Sequence, residues 1–202
     1  MQQLDFQLQV DKRFKELNPA LEKWKVAIHE AGHAVAAVFY DIPFTSIKIE
    51  SHLSGWTYLD EDFIESTLKN SPDPGFVGKL VVMGYAGYMA QLYDKQNVPS
   101  FLVTDDAIGT EDLVRNNYSY DRILDKATNC FRQPTKDEVE KIARKRAKRL
   151  WNITSYMMRG LFPATFKVAS ELIKRGEMTS NEVKAIAEPM IAEQRAIWAE
   201  RD

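Results

Sequence analysis

Cysteine is almost missing from these 202 residues, with Cys130 the only one. Disulfides need pairs, so the fold must rest on packing, and a lone thiol fits a reducing, cytoplasmic setting. Histidine is nearly as scarce: any imidazole chemistry must draw on His29, His33 and His52. Long apolar runs are absent too. The richest stretches, 34–40 and 80–90, fall far short of the ~20 residues that span a bilayer. The first residues show no apolar core behind a basic start, which argues against a signal peptide. The net charge of −2 excludes the global basic field expected of a nucleic-acid binder. There is no internal repeat or low-complexity segment, and Gly78-Lys79-Leu80 lacks the spacing of a phosphate-binding loop.

Apolar residues, by contrast, make up 45% of the chain, enough at this length for a single domain, 1–202, with a substantial core. Residues 1–18 carry a loose alternation (Leu4, Phe6, Leu8, Val10) that reads as an arm or an edge strand. Asn18-Pro19 then opens a helix, which should run to about residue 40 and stop before Ile42-Pro43, because a proline disfavours helical backbone in the residue preceding it. Residues 45–50 and 55–59 alternate as two strands joined by Ser54-Gly55, a short hairpin. Such a hairpin either lines a cleft and pairs with an extended substrate or simply covers the core. Asp73-Pro74-Gly75 starts a second helix, to about 94, that contains Gly78, Gly84 and Gly87. Each interior glycine costs ~1 kcal/mol against alanine; close backbone approach to the first helix would account for them.

The C-terminal part, 132–202, reads as helical. An apolar stripe from Val139 to Met157 predicts a helix ending near Gly160, and 161–175 forms another short one. Thr179-Ser180-Asn181-Glu182 is a capping box for the last helix, which Pro189 should kink or split. Lys141, Arg144, Lys145, Arg146, Lys148 and Arg149 read as a solvated face, so no nucleic-acid partner is expected. The fold class is therefore mainly α, with one short β-hairpin after the first helix.

That first helix carries His29-Glu30-Ala31-Gly32-His33, an H-E-x-x-H motif in an apolar run. Residues four apart share a helix face, so both imidazoles can aim at one Zn²⁺ while Glu30 reaches a water beside it. Burying two imidazoles and a carboxylate without partners would cost several kcal/mol, which counts against a purely structural role. A catalytic zinc site needs a third protein ligand. His52 lies in the hairpin turn and should face solvent, so a carboxylate is required; the acidic cluster Asp105, Asp106, Glu111 and Asp112 supplies the candidates.

The stretch VAIHEAGHAVAAVF, followed by SIKIE and GWTYLDED, resembles the peptidase domain of the FtsH-type ATP-dependent zinc metalloproteases. Met83-Gly84-Tyr85-Ala86-Gly87-Tyr88 is loosely similar to that family's small-residue helix. Gly109-Thr110-Glu111-Asp112-Leu113 stands where its zinc-binding aspartate segment follows, and Val168–Ile173 through Glu182-Val183 resembles its C-terminal pattern. The resemblance implies a helical, zincin-like peptidase fold, with His29, His33 and Asp112 as zinc ligands and Glu30 as the general base. It also implies endopeptidase activity on unfolded or flexible polypeptide, through a zinc-bound water activated by Glu30. The family's ATPase module and membrane segments are not in these residues, so the expectation is a free-standing relative of the peptidase half. It would work as a homo-oligomer or with a separate ATPase. The alternative is a catalytically weak or inactive metal-binding module that binds a protein partner.

Overall fold

The computed structural model describes residues 19–69, 74–94 and 136–200. In chain order the elements are α1 (Pro19–Tyr40), β1 (Phe44–Ile49), β2 (Gly55–Leu59), α2 (Glu61–Lys69), α3 (Pro74–Tyr93), α4 (Lys136–Arg175), β3 (Glu177–Thr179) and α5 (Ser180–Ala199). The protein is mainly helical, as its periodicity predicts. Residues 1–18 and the acidic cluster Asp105, Asp106, Glu111 and Asp112 lie outside the described residues.

A helix that is apolar on all sides belongs in the middle of a core, and α1 takes that position. Ala27, Ile28, Ala31, Ala34 and Val35 are fully buried, and α1 packs against α3, α4, α5 and the sheet. It ends in a Schellman-type cap: Ile42 N–H donates to Ala37 O (2.9 Å) and Asp41 N–H to Val38 O (3.3 Å). Asp41 occupies the left-handed position at φ 56°. This turn, set by the Pro43 that follows, sends the chain directly into β1.

The hairpin forms over the predicted residues, but it is part of a larger sheet. β1 is the central strand of three, in the antiparallel order β2-β1-β3. Ile47 lies opposite Thr57 on one side and Met178 on the other. The third strand could not be read from the sequence, because three residues are too few to show alternation. It exists because α4 ends at Gly176, whose φ of 80° turns the chain back; Gly176 O then accepts from Ile49 N–H (2.8 Å). Helix α2 was likewise not anticipated. Its cap is Asp60, whose Oδ1 accepts from Phe63 N–H (3.0 Å), followed by Glu61 and Asp62 in the first turn.

Two expected interruptions do not occur. Instead of stopping near Gly160, α4 runs 40 residues through both Gly160 and Pro163. Gly160 packs against α5: a Cβ there would lie 2.7 Å from Trp198 Cζ2 and 3.0 Å from Gln194 Cδ. The position therefore serves close helix packing rather than termination. Pro163 cannot donate to the carbonyl of Arg159, but both residues are on the exposed side of the helix, where water can replace the missing bond. Helix α5 continues through Pro189 unsplit, and its capping box forms as predicted, with Thr179 and Glu182 bonding reciprocally. Among the described residues no helix is long and apolar enough to cross a membrane.

Candidate metal centre

The site is assembled where α1 meets α3. Gly32 allows the two helices to touch: a Cβ there would lie 2.7 Å from Ala86 O and 2.9 Å from the Gly87 Cα. The small residues of α3 thus do bring its backbone against the motif helix, and Gly87 is the glycine that this requires.

Helical spacing puts His29 and His33 on the same face, with their Nε2 atoms 3.0 Å apart and their rings nearly perpendicular. His33 Nδ1 lies 2.8 Å from Met83 O. A carbonyl can only accept, so Nδ1 carries the proton, and in the neutral ring Nε2 presents its lone pair. A backbone carbonyl fixing the far side of an imidazole in this way is the usual outer-shell partner of a metal-binding histidine.

Two nitrogens bound tetrahedrally to zinc at ~2.05 Å lie about 3.3 Å apart, close to the observed separation. Gly87 leaves room beside them: an added Cβ would lie 2.6 Å from His33 Nε2 and 2.9 Å from His29 Nε2. Donor chemistry, spacing and space therefore fit a zinc ion. Among the described residues no group of three or more His, Cys, Asp or Glu side chains converges on such a point. His52 is exposed in the hairpin turn, as expected.

No family model and no curated protein matches the chain.

Glu30 is buried on the neighbouring face of α1, held by β2. Thr57 Oγ1 donates to Glu30 Oε2 at 2.8 Å. Two residues earlier in the strand, a Cβ on Gly55 would lie 2.8 Å from Glu30 Cγ and 2.7 Å from Val26 Cγ1. The carboxylate is thus oriented by a hydroxyl, and its stem is seated where Gly55 has no side chain.

Thr57 and the Met83 carbonyl were not among the residues singled out from the sequence. A signal for Thr57 did exist: in Gly55-Trp56-Thr57-Tyr58-Leu59 the aromatics point outward, which leaves a hydroxyl on the side facing α1. No sequence signal marks a main-chain carbonyl.

A second polar group braces the N-terminal half of α1. Lys25 pairs with Glu22 at 2.5 Å, both buried. Gln91 Nε2 donates to Lys25 O (3.1 Å), and Trp24 Nε1 donates to Asp94 Oδ2 (2.6 Å). These bonds tie the start of α1 to the end of α3 and hold the two helices in register across the histidines.

Proposed function

We propose that the protein is a zinc-dependent endopeptidase with a zincin-like helical fold, related to the peptidase domain of the FtsH-type metalloproteases. The observation that carries this reading is the convergence of two Nε2 atoms in a space kept open by Gly87, with the His33 tautomer set by Met83 O. His29 and His33 would hold the metal. The family resemblance adds Asp112 as third ligand, with Asp105, Asp106 and Glu111 as the other acidic candidates.

A zinc ion held by His29 and His33 would supply Lewis acidity, able to polarise a scissile carbonyl and to acidify a water beside Glu30. Glu30 takes the proton of the attacking water and returns it to the leaving amine. Thr57, donating to Oε2, keeps that carboxylate in one orientation through both transfers. β2 is an edge strand of the described sheet, and Thr57 connects it directly to the general base. An extended polypeptide pairing with that edge would pass beside Glu30, a geometry that suits unfolded chain rather than folded protein.

The test combines metal analysis with cleavage of an unfolded polypeptide. The expected result is about one zinc per chain after dialysis, with hydrolysis that disappears in Glu30→Gln while zinc stays bound. Undiminished cleavage by a folded Glu30→Gln variant would refute the mechanism.

A further inference from the structure

At the end of α1 remote from its N-terminus, an open cavity of about 410 Å³ lies between α1, α4 and α5. Met157 is buried at its base, Phe39, Tyr40, Ile153, Tyr156 and Trp198 form the walls, and among the described residues no carboxylate lines it. The walls are preorganised. Trp198 stacks on Tyr156 (centroids 5.8 Å, 27°) and meets Phe39 edge-on at 5.9 Å. Arg195 lies over the Phe39 ring at 4.9 Å and donates to Phe39 O at 2.6 Å. Tyr156 nevertheless remains 62% exposed and Ile153 39%. Pockets of this size and apolar character commonly take bulky ligand groups.

Charge indicates what kind of group. On α4 the residues facing the cavity recur at 149, 153 and 157. The same four-residue row continues toward the helix N-terminus through Lys145 and Lys141, both exposed like Arg149. Among the described residues none of these three cations makes an ion pair or side-chain hydrogen bond, whereas Lys25, Lys174 and Arg175 all do. At 1.5 Å per residue the cationic row is about 12 Å long and the apolar stretch adds about 12 Å. The sequence suggested only a solvated basic face. The fold places Arg149 at the rim of an unfilled aromatic cleft, and because each four-residue step turns about 40° round the helix, Lys145 lies beside that rim and Lys141 about a quarter turn from Arg149.

We propose that this surface docks an acidic protein segment, one that sets carboxylates against Arg149 and Lys145, with Lys141 beyond them, and a bulky apolar side chain against Phe39, Ile153 and Met157, beside the stacked Tyr156 and Trp198. An extended segment of about seven residues would cover the whole length. The anchor carries most of the affinity, because exposed ion pairs contribute little; the carboxylates fix direction and speed encounter. The proposal does not depend on the peptidase reading.

The experiment selects random twelve-residue displayed peptides on the intact chain, then measures the synthesised winners by fluorescence anisotropy. The expected winners combine two or more Asp or Glu with a bulky apolar residue. Their affinity should fall at least tenfold in Ile153→Asp and in Lys145→Glu/Arg149→Glu, and should weaken with salt. Lys141→Glu/Lys145→Glu, which lies outside the cavity, provides a second reading if the first variants fail to fold. Winners without acidic enrichment, binding indifferent to all three variants, or no selectable peptide would each overturn the proposal. So would tight binding of a single-stranded 20-mer DNA by the same cations, or a dimer lost in Ile153→Asp, which would assign the surface to nucleic acid or to a second copy.

Discussion

Replacing Gly87 with alanine is the sharpest perturbation of the candidate metal centre. The new methyl would lie 2.6 Å from His33 Nε2, 2.8 Å from His33 Cε1 and 2.9 Å from His29 Nε2. Non-bonded heavy atoms settle at about 3.5 Å, so the imidazoles must retreat by about 0.6–0.9 Å. Metal–ligand distances hold to about 0.2 Å, and the displacement is several times larger. Zinc affinity is therefore expected to fall at least ~100-fold, about 2.7 kcal/mol. Stability changes far less: the overpacking penalty of about 1–3 kcal/mol is partly offset by the ~1 kcal/mol that alanine gains over glycine inside a helix. Competition against a chromophoric zinc chelator, alongside urea unfolding of the metal-free protein, separates the two quantities. Gly32→Ala is the control, because its added Cβ would meet main-chain atoms, Ala86 O at 2.7 Å and the Gly87 Cα at 2.9 Å. Those atoms cannot rotate away, so the helices must part and stability should drop by about 2–3 kcal/mol. A Gly87→Ala variant that binds zinc within threefold of the wild type would refute the geometry on which the site rests.

Removing the hydroxyl that holds Glu30, as Thr57→Val, should lower kcat at least tenfold with KM and zinc content nearly unchanged, and Thr57→Ser should restore it; a change confined to KM would mean that Thr57 acts on substrate instead. Asp112→Asn should lose most bound zinc on dialysis, and full occupancy would transfer the third-ligand role to Asp105, Asp106 or Glu111. Thr179→Ala removes the cap of α5 and should cost about 1 kcal/mol, read as a lower Tm in a thermal scan. The Thr179 backbone and hydroxyl, with Arg175 beside them, hold the Glu182 carboxyl below its ordinary value. A carboxyl depressed by folding stabilises fully above the ordinary glutamate value, and the contribution is lost as pH falls through the depressed one. The Tm penalty of Glu182→Gln should therefore be present at pH 7 and shrink at pH below about 4; a penalty constant across that range would mean that the carboxylate's charge is not involved.

Local rules were enough for much of the architecture. The Asn18-Pro19 start and the Ile42-Pro43 stop bracket α1, the alternation at 45–50 and 55–59 matches β1 and β2, and Thr179 through Glu182 caps α5. Each of these signals lies within a few residues of the structure it determines. The failures share one cause. Gly160 looked like a terminator because its packing partner, Trp198, is 38 positions away in sequence. β3 was missed because its pairing with β1 is decided by where α4 ends.

The same division holds at the site. Helical periodicity alone places His29 and His33 on one face and Glu30 beside them, since four residues make about one turn. Only the tertiary structure determines that Gly87 opens the space next to both Nε2 atoms, that Met83 O fixes the His33 tautomer, and that Thr57 reaches across from a neighbouring strand to Glu30. Those contacts join residues 27 to 58 positions apart in the chain. A periodicity cannot encode them, because they arise only when α3 and β2 close on α1 and bury it.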